Sequence, residues 1–402
     1  MNELASLGVI LLLALLAGHL VQFLRIPEVT GYILAGVLLG PSVLGWVSSR
    51  NLAALEILSE VALGLILFSI GSVFEIERFR EVGRPILYLT LMESLLAGGL
   101  VFSGVRLLGQ PWQVAGLLGA IAMATAPAST LMVIRECGAK GPLTNSLMGI
   151  IAVNNIVCLT TFSIVAALIE LASGAGGPDL AATIYRSAFS LAWQLLGSAA
   201  LGFLVGLMLV AWATRISDTG ELLMLLVGSI LFCVGVARVL ELSQLIASLA
   251  VGATMVNLSG RSKRLFATLA GTDPPFYAIF FVIAGADMDV ALVWQMGALG
   301  VVYVLGRTLG KSLGARWGAT RLEMPYTVRR FLGFALFAQA DLAIGLTLVI
   351  NRTFTEFAPA VAVAVLAAVV VYEVLGPIGV RFSLVQAGEA RVHPSEPQSI
   401  WA

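Results

Sequence analysis

The chain has 402 residues, 59% of them hydrophobic and only 11% charged; 23 basic and 23 acidic residues cancel, and the mean hydropathy is +0.99. Such a balance excludes an ordinary soluble domain and gives no basic surface for nucleic acid, so the chain reads as a polytopic membrane protein. Cys137, Cys158 and Cys233 are odd in number and sit in or beside apolar runs, which argues against a disulfide framework or a metal site.

A membrane-crossing helix needs roughly 20 mostly apolar residues. That window gives about thirteen spans, near 4–24, 29–47, 53–72, 85–108, 113–136, 143–171, 187–214, 220–240, 243–258, 275–289, 293–316, 329–351 and 357–384. The first follows "MNE", with no basic region or small-residue cleavage site, and is expected to be a retained helix. The fifth contains "ATAPAST" (124–130), where Pro127 removes an amide donor and Thr125, Ser129 and Thr130 can satisfy freed carbonyls. The sixth carries two adjacent amides, Asn154 and Asn155, in "IIAVNNIVCLTTFS", which mark either a packing contact or a polar cavity. Residues 170–186, rich in Gly and Ala, are expected to be a flexible connection between halves.

The eleventh span places Arg307 and Lys311 four residues apart in "LGRTLGKSLGA", hence on one helix face. Lys311 can snorkel towards an aqueous end, whereas Arg307 lies a turn deeper and is the stronger internal cation. The twelfth contains "FAQADLAIG" (337–345), where Gln339 and Asp341 interrupt an apolar run. Asp341 is the first choice of counter-ion for Arg307, with a structural ion pair as the alternative; Glu60, Glu93, Glu241, Asp287 and Glu373 are further acids in or beside spans. Spans five and twelve enter the membrane in opposite directions, as an inverted repeat with a broken crossing helix in each half requires. Basic residues fall sixteen on one side and five on the other, so the N-terminus is expected outside and the C-terminus in the cytoplasm.

Several stretches together resemble the monovalent cation:proton antiporter superfamily, in its second, mainly bacterial branch of sodium/hydrogen exchangers. They are "LRIPEVTGYILAGVLLGPSVLG" (24–45), "LSEVALGLILFSIG" (58–71), "FFVIAGADMD" (280–289), the Arg307/Lys311 motif and "YEVLGP" (372–377). The resemblance implies an all-α fold of thirteen helices with a site-bearing core domain, a dimerisation domain and elevator-like alternating access. It also implies a homodimer in the bacterial inner membrane, surrounded by lipid, exchanging a monovalent cation for a proton without a cofactor. Core helices are expected from 53–171 and 275–384, scaffold and dimer helices from 4–47 and 187–258, within a transmembrane domain 1–384 and a short cytoplasmic tail 385–402.

By that resemblance the cation site comprises Asn154, Asn155, Thr125, Ser129, Asp341 and Gln339, with Arg307 and Lys311 compensating charge. The position of Asn155 is normally an aspartate that binds the cation or a proton. An amide keeps an oxygen ligand but does not titrate. Three accounts follow: the titrating group has moved to Asp341, or to Glu93 or Asp287; the protein is uncoupled or carries another solute; or it is an inactive Asp-to-Asn variant of an antiporter. A non-transporting membrane sensor or scaffold is a further reading. Neither a nucleophile–base pair nor a phosphate loop points to an enzyme.

Overall fold

The computed structural model describes residues 3–71, 74, 76–172, 189–190, 192–216, 218–260, 265–266, 269 and 273–390. The linker expected at 170–186 lies outside these residues beyond Ala172, and so does the tail from 391. Among the described residues all regular structure is helical. The helices are α1 (Glu3–Phe23), α2 (Glu28–Leu39), α3 (Ser49–Gly71), α4 (Ile76–Leu107), α5 (Trp112–Ala122), α6 (Pro127–Glu136) and α7 (Pro142–Ala172). A π-turn at Trp193–Gly197 leads into α8 (Ser198–Ala213), followed by α9 (Thr219–Val239), α10 (Gln244–Leu258) and α11 (Asp273–Ala286). After a single helical turn at Ala291–Gln295, the last four are α12 (Gly297–Arg321), α13 (Tyr326–Ala335), α14 (Asp341–Thr353) and α15 (Ala358–Gln386).

Eight helical stretches are long and apolar enough to cross a membrane, and three shorter apolar helices accompany them, by length and composition among the described residues. Large apolar side chains such as Leu12, Leu15, Phe232, Leu305 and Leu309 face outward, while Glu93, Arg307 and Lys311 are fully buried. This reversal of the soluble pattern fits a chain whose solvent is hydrocarbon. The expected span 113–136 is broken between α5 and α6, and 329–351 is broken between α13 and α14.

Packing sorts the helices into two sets. In one, α4 and α12 form the most extensive pair, and α5, α6, α7, α13, α14 and α15 pack around them. Their approach depends on glycine: a Cβ at Gly310 would stand 2.3 Å from the Cα of Ala97, and one at Gly314 would stand 2.6 Å from the Cα of Glu93. The backbones therefore come close enough to bring Lys311 against Glu93. In the other set, α1, α2, α3 and α8–α11 associate. Of the spans that the sequence reading grouped with the core, the third and tenth are α3 and α11: α3 packs mainly on α10 and α11, and α11 on α2, α3 and α1. Glycines at the contacts let the backbones approach, Gly71 of α3 against the backbone of Leu249, and Gly36 and Gly40, in and just after α2, against that of α11.

The two sets touch at one end of the bundle through a polar latch. The Glu28 backbone N–H donates to Glu136 at 3.0 Å, and Arg381 donates to the other oxygen of Glu136 at 3.0 Å. Towards the other end, a cavity of about 570 Å³ separates α3 and the end of α11 from α14 and α15.

Candidate functional site

The two helix breaks cross, and their chemistry follows from what each leaves unpaired. Pro127 has no N–H, so the Met123 carbonyl four residues back loses its helical donor. The Nζ of Lys311 donates to that carbonyl instead, and to Thr125 Oγ1 at 3.0 Å. The next carbonyl, Ala124, receives Arg307 Nη2 at 2.7 Å. Arg307 then reaches the second break, donating to Phe337 O at 2.7 Å and Ala338 O at 3.1 Å. Directly between the breaks, the Ala126 N–H donates to Ala338 O at 3.0 Å. Gln339 completes the crossing by donating to Ile121 O at 3.0 Å and Tyr303 Oη at 2.7 Å.

Arg307 therefore does not pair with Asp341, contrary to the first-choice counter-ion. Its donors go to carbonyls at the C-terminal ends of α5 and α13, where helix dipoles are negative, and its guanidinium carbon lies 4.3 Å from the Tyr372 ring centroid. Lys311 does take a carboxylate, but it is Glu93, at 2.6 Å with both side chains fully buried. Glu93 accepts from Ser94 at 2.9 Å and from Asn154 Nδ2 at 2.6 Å; Asn154 also donates to Ser94 at 2.9 Å. This is where the first of the two adjacent amides belongs: it solvates the buried ion pair.

Asn155 faces elsewhere. Half-buried, it lines a small cavity of about 10 Å³ together with Thr125, Pro127 and Asp341, room for about one water molecule. Its Oδ1 and the Oδ2 of Asp341 both lack a hydrogen-bond partner. Asp341 begins α14, where the positive end of a half-helix favours an anion. It also lines the 570 Å³ cavity, so it forms a wall common to both spaces. Ser129 is buried on α6 but lines neither cavity, and Asp287 is exposed at the rim of the larger one.

Of the residues that the sequence reading singled out, the structure places Thr125, Asn155, Gln339, Asp341, Arg307 and Lys311 at or beside the crossing of the two breaks. That reading missed the pairing of Glu93 with Lys311. The signal was present in the glycines on either side of Lys311, which mark close approach to another helix, but not in which helix that is.

The sequence profile described as sodium/hydrogen exchanger, transmembrane, matches residues 8–386. The iron transporter MagA of Paramagnetospirillum magneticum is 28% identical over 75% of this chain and 67% of its own length. A glutathione-regulated potassium-efflux system protein of Haemophilus influenzae is 28% identical over 88% of this chain, which spans only 59% of that protein. The ammonium/H(+) antiporter subunit AmhT of Alkalihalophilus pseudofirmus is 22% identical, with 90% of this chain and 94% of that protein covered. In fold, the chain is similar to the sodium proton antiporter MjNhaP1 of Methanocaldococcus jannaschii, with a TM-score of 0.76, 16% identity and 96% of each chain covered. The chain belongs to the sodium/hydrogen exchanger family of transmembrane proteins.

Proposed function

We propose that the protein exchanges a monovalent cation for a proton, and that the exchanging group is Asp341 in place of the aspartate usual at position 155. The observation that carries this is the unpartnered Asp341 carboxylate oxygen on the wall shared by the open cavity and the small cavity, with the Asn155 amide oxygen on the same small cavity. Lys311 is already neutralised by Glu93, and Arg307 by carbonyl dipoles. Asp341 is left to accept either a cation, with oxygens of Asn155 and Thr125 nearby, or a proton. Competition of the two for one carboxylate is the coupling that antiport requires.

The architecture we propose around this site has thirteen crossings, with α5–α6 and α13–α14 as the broken members of an inverted repeat. The N-terminus lies outside and the C-terminus in the cytoplasm of a bacterial inner membrane. The set containing α4–α7 and α12–α15 is the moving core, and α1–α3 with α8–α11 are the scaffold of a homodimer. The latch of Glu136 with Glu28 and Arg381 at the end opposite the cavity supports an outward-open state closed on the cytoplasmic side. If the core slides as an elevator, a disulfide cross-link joining α7 to α9 stops exchange; full exchange in the cross-linked protein would contradict the sliding.

The test of the function is proton movement in proteoliposomes containing a pH-sensitive dye, on addition of Na⁺, K⁺ or Li⁺ in turn. The protein as it stands is expected to move protons against at least one of them, and Asn155→Asp is not required for exchange. Exchange that occurs only in Asn155→Asp would instead mark the native chain as a silent relative.

A further inference from the structure

The large cavity carries more acid than a single exchanging carboxylate needs. Glu56, Glu60, Asp287 and Asp289 line its outer part, Asp341 and Glu373 its inner part, and no basic residue lines it among the described residues. Arg238 approaches from the side, 3.1 Å from Glu60. A pathway walled this way concentrates cations and repels anions.

Glu373 stands apart from the other acids. It belongs to α15, next to the Tyr372 that covers Arg307, and is only 2% exposed. Neither of its carboxylate oxygens has a hydrogen-bond donor, yet the side chain lines the open cavity. A buried carboxylate without a donor is costly unless it holds a cation or a proton. Among the described residues no Arg or Lys pairs with it, and the Asp341 carboxylate is close enough to repel its charge. Thr347, on the same cavity, spends its hydroxyl proton on the Ala343 carbonyl and so has only lone pairs left to offer.

We propose that Glu373 is a second cation-binding carboxylate, where a hard monovalent cation exchanges part of its water for protein oxygens before it reaches Asp341. Oxygen donors from carboxylates and a hydroxyl suit such an ion. The choice of a monovalent cation rests on the antiporter reading; the existence of the site does not.

Equilibrium dialysis of the full chain in detergent against radioactive Na⁺, at alkaline pH and with K⁺ as a second probe, tests this. The wild-type protein is expected to bind about twice as much cation per chain at saturation as Glu373→Gln, and Glu373→Asp is expected to keep the second ion with weakened affinity. Equal binding by wild type and Glu373→Gln would overturn the proposal. Should Glu373→Gln not fold, saturation of the wild type by a single ion per chain would overturn it as well. Loss of one ion in Glu373→Gln, with both binding and exchange untouched in Asp341→Asn, would keep the Glu373 site and refute the antiporter reading at Asp341.

Discussion

Asp341→Asn is expected to weaken cation binding at position 341 by roughly 100-fold, a loss of about 3 kcal/mol, and to abolish the pH dependence of exchange. The amide is nearly isosteric, so the half-helix α14 and its crossing with α5–α6 should persist, and thermal unfolding should move little. The sign of the wild-type pH dependence follows from competition at one oxygen. As pH falls, protons occupy the carboxylate and the apparent cation affinity drops; as pH rises, affinity improves and then levels once the group is fully ionised. In Asp341→Asn that slope disappears because an amide cannot take the proton. Dye-monitored exchange across a pH series, together with a melting curve, reads both effects, and undiminished coupling in the variant would transfer the role to another residue.

The second large effect concerns stability. Lys311→Met leaves Glu93 charged and fully buried, with only Ser94 and Asn154 as donors. Glu93→Leu leaves Lys311 with the Met123 carbonyl and Thr125. Each single change is expected to cost about 3–5 kcal/mol, because breaking a buried pair strands an uncompensated charge. The double variant Glu93→Leu/Lys311→Met removes both charges and should lie close to the wild type, which gives a coupling energy of about 6–10 kcal/mol, the sum of the two single losses. Thermal unfolding of the three variants in one detergent checks this; additive losses in the double variant would show that the two side chains act independently.

Much of the site was legible because membrane chemistry is unforgiving of polar groups. Pro127 announced a break, Gln339 and Asp341 announced another, and the four-residue spacing of Arg307 and Lys311 put both cations on one face. What each cation touches was not legible. A long guanidinium can meet a carboxylate or several carbonyls, and only the crossing of residues 124 and 338 in space shows that carbonyls win. The pairing of Lys311 with Glu93 depends on α4 meeting α12 across more than 200 residues of chain, a register that periodicity does not carry. The same limit explains the placement of α3 and α11. Apolar composition marks both as membrane helices, whereas glycine contacts such as Gly71 against Leu249 decide which neighbours they keep.

The joint between the breaks also constrains how the protein is made. Ala124 and Ala126 are synthesised long before Arg307 and Ala338, yet the carbonyl of the first and the amide of the second are satisfied by those late partners. Until the final third of the chain has inserted, the unwound turn between α5 and α6 must keep water or other protein beside it, since lipid offers it nothing. The first half is therefore an unfinished object in the bilayer, and a chain arrested before α12 would be a natural target for membrane quality control.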